Sequence, residues 1–196
     1  GAVGLSIGGV LLLMLAAALP DARPILANYV PVLEHPLFLG GLVAIAAGIA
    51  LTLLDPRLLP GNEPASRSLL PSAALPLLRG SAVAILLALL TFAASWLRLT
   101  PGLEPEARYE ALEWGGGHVL QFASVAAMMA VWVMLLSPVL GRPPVTRATA
   151  ALVAGLLVTP LLGAFTLESL GLMVNPVTRE LMPMRLFLAA VGSAER

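Results

Sequence analysis

Residues 114–137, WGGGHVLQFASVAAMMAVWVMLLS, run for twenty-four positions without an acidic or basic residue other than one histidine. Crossing the hydrocarbon layer as a helix takes about twenty predominantly apolar residues, so the stretch reads as a transmembrane helix. Its opening is unusual. Three glycines remove all side-chain bulk from nearly one helical turn, and a histidine follows at once. A close neighbour is implied there, either another helix or a flat ligand, because glycine lets a partner approach the backbone.

Four further segments have the same character, at roughly 1–19, 36–54, 78–97 and 147–170, and a sixth apolar run starts near Met184. Helix breakers bound them, among them ALPDARP after the first, LLDPR after the second and SPVLGRPP after the fourth. In lipid the backbone must satisfy its own hydrogen bonds, and no ten-residue alternating pattern suggests a barrel. The expectation is therefore an all-α, polytopic transmembrane helix bundle: five complete helices, a truncated sixth, and one domain over residues 1–196. A first residue that is glycine and a final apolar run that is cut short suggest an internal portion of a longer chain. Pro160, inside LLVTPLLGAF, removes one backbone donor and is expected to bend the fifth helix.

Composition supports the membrane reading. Of the 196 residues, 59% are hydrophobic and 11% charged, and the mean hydropathy is +0.94. The 11 basic residues, all arginine, balance 11 acidic ones, so there is no basic surface for nucleic acid and no polybasic lipid-binding run. With no cysteine, disulfides, thiolate metal sites, iron–sulfur clusters and covalent c-type haem attachment are excluded. Any metal would rest on histidine or oxygen ligands. Walker loops, HExxH motifs and serine nucleophile elbows do not occur.

Arginines divide evenly between the two sets of alternating loops and do not orient the chain, whereas most acids fall in the first, third and fifth. These loops are expected to face away from the cytoplasm. Alternating crossings place His35, at the start of the second helix, and His118, at the start of the fourth, on one side of the membrane.

His118 begins a helical column continued by Gln121 and Phe122, at i+3 and i+4. An intramembrane histidine can ligate a metal or carry a proton; near a helix end it can equally bond a neighbouring carbonyl. Glu113 is the nearest carboxylate that could orient the ring. His35 precedes Pro36, which suits the first position of a helix, and reads as a boundary residue with a structural role. Trp96 and Trp114 fit an aromatic belt, and the Met128–Met129 pair fits packing.

The run EWGGGHVLQF, with NYVPVLEHPLFLGG upstream, resembles a divergent group of haem–copper oxidase subunit I-like proteins, relatives of the cytochrome c oxidase catalytic subunit. In that superfamily the sixth helix begins with a tryptophan, often a glycine, and a histidine that binds the active-site copper; Trp114, Gly117 and His118 stand in this order. The resemblance implies a metal-binding role for His118 and haem contacts for Gly117, Gln121 and Phe122. It further implies haem with copper or non-haem iron as cofactors, and oxygen or nitric oxide as the electron acceptor. The implied surroundings are the lipid bilayer of a bacterial cytoplasmic membrane, other membrane subunits and a cytochrome or quinol donor. The sequence departs from the pattern in the next helix, where the family has two adjacent histidines and TRATAALVAGLLVTPLLGAFTLESLG has none. A non-catalytic membrane subunit packed around a larger respiratory or photosynthetic complex is the alternative expectation.

Overall fold

The computed structural model describes residues 1–26, 31–54, 70–169, 172–174 and 181–183. Five α-helices dominate them: α1 (Ala2–Ala17), α2 (Pro36–Leu53), α3 (Ala74–Leu97), α4 (Pro105–Leu140) and α5 (Arg147–Ser169). They follow the order of the five apolar segments. The apolar run expected to begin a sixth helix near Met184 lies outside the described residues.

Among the described residues, three helices, α2, α3 and α4, are long and apolar enough to cross a membrane. The expectation of five complete crossings is met in part: five helices form, and three of them have the length and composition of a span. With 16 residues, α1 rises about 24 Å, short of a hydrocarbon layer of about 30 Å. The strictly all-α expectation also needs amendment. Strands β1 (Arg23–Leu26) and β2 (Pro31–Glu34) form an antiparallel ribbon between α1 and α2, with Arg23 opposite Glu34 and Ile25 opposite Val32. A second ribbon joins β3 (Leu172–Val174) to β4 (Leu181–Pro183). Apolar segments signal spans by length, whereas four-residue strands among prolines leave no period long enough to see.

Two packing groups make up the described fold. In the first, α1 and α2 lie antiparallel at near contact of their backbones: a Cβ on Gly9 would stand 2.6 Å from the Gly41 carbonyl oxygen, and one on Gly41 2.8 Å from that of Gly9. Only glycine fits at both positions. In the second group, α3 packs along α4 and against α5. One end of its core holds Ala74, Leu77, Ala130, Val133, Ala150 and Ala154, and the other holds Ala84, Ala88, Val119, Ala123 and Leu161. Alanine predominates because lipid tails are as apolar as leucine; helices in a bilayer gain from close contact of small residues more than from burial of large ones. Ser81, 4% exposed, ties the group together by donating to the Ala123 carbonyl at 2.9 Å.

The ribbon β1–β2 joins the two groups. Ile25 and Val32 are buried with Tyr109 of α4, with Phe38, Leu39 and Leu112 packed around them. Helix α4 therefore starts nine residues before the uncharged run that signalled it. Pro105 occupies the first turn with Glu106, where a preset φ and a carboxylate near the positive end of the helix dipole both favour initiation. Its far end stops at Gly141 in the left-handed region, φ 65°. Helix α5 continues through Pro160 without a break in helical assignment. Thr159 beside it donates to the Gly155 carbonyl at 2.8 Å, the kind of side-chain bond that accompanies proline in membrane helices.

Candidate functional site

Helix α4 has two faces of different character. Gly115, Gly116, Val119, Ala123, Ala126, Ala130 and Val133 are buried, at the three- and four-residue spacings of one helical stripe. The side turned away from them includes Trp114, 57% exposed, Trp132, 54% exposed, and the exposed residues Gln121 and Ser124.

The triple glycine divides between these faces. A Cβ on Gly116 would lie 2.6 Å from three carbons of the Phe92 ring, so the ring of an α3 residue fills that space. The close neighbour implied by the glycines is thus another helix on this side. A Cβ on Gly117 would meet nothing within 4 Å. Two adjacent glycines consequently have different work: one receives Phe92, and the other leaves the outer face of α4 flat.

His118 is half-buried and turns back along its own helix. Its Nδ1 lies 2.6 Å from the carbonyl oxygen of Trp114, and the two rings stand 4.7 Å apart, tilted by 51°. A carbonyl only accepts, so Nδ1 must carry the proton, which leaves the lone pair of the neutral ring on Nε2. Sequence reasoning put Glu113 forward as the group orienting this ring; the Trp114 carbonyl takes that role at i−4, a partner every helical histidine has within reach. The Glu113 Oε2 atom is itself buried without a hydrogen bond among the described residues.

The expected column divides as well. Gln121 is exposed on the outer face, and its amide has no hydrogen bond among the described residues. Phe122 packs with α3 against Ala84, Ala88, Val119 and Ala123. Gly117 and Gln121 share the outer side with His118, while Phe122 leans towards the core.

His35 belongs to a separate cluster. Its Nδ1 accepts the backbone N–H of Leu37 at 3.2 Å, capping the α2 N-terminus ahead of Pro36. A lone pair used in this way leaves the proton of the neutral ring on Nε2, which faces Asp21 Oδ2 at 3.8 Å. Next to it Glu34 pairs with Arg108 at 2.5 Å. Glu34, His35, Trp96, Arg108, Tyr109 and Leu112 line a pocket of about 240 Å³. The sequence carried a signal for the cap, a histidine immediately before a proline at a segment start, but none for the ion pair, whose partners are 74 positions apart.

The donor set bears on the metals that the resemblance implies. Among the described residues no group of three or more histidine, cysteine, aspartate or glutamate side chains could hold a metal ion. A three-histidine copper site does not fit here, since the chain has two histidines and that of α2 spends Nδ1 on its cap. His118 would suit as a ligand to a haem iron, because ligating histidines characteristically donate their other N–H to a carbonyl or carboxylate. Compared with protein families, curated proteins and solved structures, the chain finds no match.

Proposed function

We propose that this chain is a membrane-embedded helical subunit that acts by packing against other membrane helices in a larger complex. The observation that carries this reading is the outer face of α4. Gln121 and Ser124 are exposed there in the middle of a run with no acidic or basic residue except His118. An amide without a hydrogen-bond partner in hydrocarbon costs several kcal/mol, roughly 2–7. A neighbouring helix that offers donors and acceptors removes that cost, and lipid does not. The broad apolar exposure of α1 and α2, for example Val3, Leu11, Met14 and Val43, accords with contact to lipid tails or further helices. The bilayer proposed is a bacterial cytoplasmic membrane.

A second reading is favoured by the His118 geometry. Nδ1–H bound to the Trp114 carbonyl orients Nε2 as a ligand, as in a redox subunit of the haem–copper oxidase kind that takes electrons from a cytochrome or quinol and passes them to oxygen or nitric oxide. In that case His118 would hold a haem iron from the outer side of α4, with Gly117 giving the macrocycle access and Gln121 one turn along. Haem chemistry would supply the electron transfer; the chain's own contribution is a ligand fixed in one tautomer.

Purification in mild detergent, followed by pyridine haemochrome and metal analysis of wild type and His118→Ala, separates the two. Stoichiometric iron with a Soret band that the variant loses supports the redox reading. Protein without iron, unaltered by the substitution, supports the packing subunit.

A further inference from the structure

We propose that the turn between α4 and α5 binds the phosphate of an anionic phospholipid, held by Arg142 and Arg147. This site lies beyond both readings above and is compatible with either.

The turn is built to hold its two arginines. Gly141, at φ 65°, ends α4, Pro143 and Pro144 fix two successive φ angles, and α5 begins at Arg147. Arg142 and Arg147 consequently line one open pocket of about 520 Å³, together with Ser72, Thr146 and Thr149. The threonines serve the helix start: Thr146 Oγ1 accepts the backbone N–H of Thr149 at 3.1 Å and shares a hydrogen bond with its hydroxyl at 2.9 Å. What the pocket offers a ligand is two guanidinium forks, a geometry suited to phosphate oxygens, with the Ser72 hydroxyl beside them.

Those two charges are not neutralised by the chain. Both arginines are exposed, and among the described residues the ion pairs are His35 with Asp21 and Arg108 with Glu34, at the other end of the bundle. Residues 51–54, 70–79 and 138–149, the described residues of this end, add a third arginine, Arg79, and no aspartate or glutamate. The pocket at Arg108 contains its own counter-charge in Glu34; the pocket at Arg142 and Arg147 does not, and it therefore favours an anion. No polybasic run announces it in the sequence, because the pair is assembled by a turn.

Depth selects the source of the phosphate. With one membrane boundary at Trp114, Gly141 stands about 40 Å along the helix, beyond a hydrocarbon layer of about 30 Å and at the level of the headgroups of the far leaflet. Immediately inward, Leu136, Val139 and Leu140 of α4 and Leu152 of α5 are exposed and offer apolar surface to acyl chains. A phospholipid uses both the arginines and this surface, whereas free phosphate uses the arginines alone.

Native mass spectrometry of the whole chain in mild detergent, titrated with phosphatidylglycerol or with phosphatidylcholine of the same acyl chains, tests the site. One arginine beside an anionic lipid contributes roughly fivefold in affinity, so the wild type should prefer phosphatidylglycerol roughly twentyfold, and less as salt rises. Arg142→Gln and Arg147→Gln should each lose about fivefold of that preference and the double variant nearly all of it. Arg98→Gln, at an exposed arginine of the opposite end, should retain it. Equal binding of the two lipids by the wild type, or a preference that survives in the double variant, would overturn the proposal. Displacement of phosphatidylglycerol by inorganic phosphate in millimolar excess would overturn the lipid as ligand and assign the arginines to a soluble phosphate.

Discussion

The two neighbouring glycines of α4 allow a test in which backbone terms cancel. Gly116→Ala places a methyl 2.6 Å from Cγ, Cδ1 and Cε1 of Phe92, where carbon atoms normally rest at about 3.5–4.0 Å. The ring would have to retreat by roughly 1 Å. Phe92 packs against the cluster of Ala84, Ala88, Val119 and Ala123, so retreat means prising α3 from α4, and overpacking of this kind costs about 1–3 kcal/mol. Against that stands the gain from replacing glycine by alanine in a helix, about 1 kcal/mol. Gly117→Ala receives the same gain and meets no atom within 4 Å. The difference between the two variants is therefore the packing cost alone, about 1–3 kcal/mol in favour of Gly117→Ala. Equilibrium unfolding in mixed micelles, followed by tryptophan fluorescence, measures it. Phe92→Leu added to Gly116→Ala should recover part of the loss. Equal stability of the two alanine variants would refute the assignment of Gly116 as the seat of Phe92.

Ser81→Ala removes the buried hydroxyl that spans α3 and α4 and leaves the Ala123 carbonyl to its helix bond alone; a loss of about 0.6–1.7 kcal/mol is expected in the same unfolding assay. Arg108→Gln breaks the pair with Glu34, both side chains being about a third exposed; the cost should stay below about 1 kcal/mol and shrink as salt rises, with faster proteolysis of the β1–β2 ribbon as the local readout. His118→Ala should leave membrane insertion and micelle stability unchanged within about 0.5 kcal/mol, because the side chain is only half-buried and its Nδ1 bonds a carbonyl of its own helix. Loss of haem in that variant would show that its role is ligation.

The helices were legible because crossing a bilayer imposes a length on an apolar run, and 114–137 satisfies it without interruption. Boundaries were less so. Hydropathy registers the part of α4 inside lipid, whereas Pro105–Glu113 is helical through a proline start, an early acid and packing of Tyr109 on β1 and β2. The site was legible in its residue types and illegible in its direction. A triple glycine announces a close neighbour but does not say which glycine faces which neighbour; that depends on where α3 sits, and α3 is fixed by alanine contacts spread over both helices. Likewise the column of His118, Gln121 and Phe122 spans enough of the helix circumference for Phe122 to pack on the core while Gln121 faces out.

The length of α4 connects these features in the proposed bilayer. Its 36 residues rise about 54 Å, some 24 Å more than the hydrocarbon layer. The charges show where about 14 Å of that excess lies: Glu106, Arg108, Glu110 and Glu113 occupy the first nine residues, and none of these types follows before Gly141. The boundary then falls between Glu113 and Trp114, where tryptophan is favoured. The preceding turns form a ledge in water, and on that ledge sit the β1–β2 ribbon, the Glu34–Arg108 pair and the capped α2 terminus. His118 lies only about 6 Å inside this boundary. A histidine at that depth needs a hydrogen-bond partner, and the Trp114 carbonyl supplies one. Gln121, a turn deeper, has no such partner among the described residues, and this is why the demand for a neighbouring helix falls on Gln121.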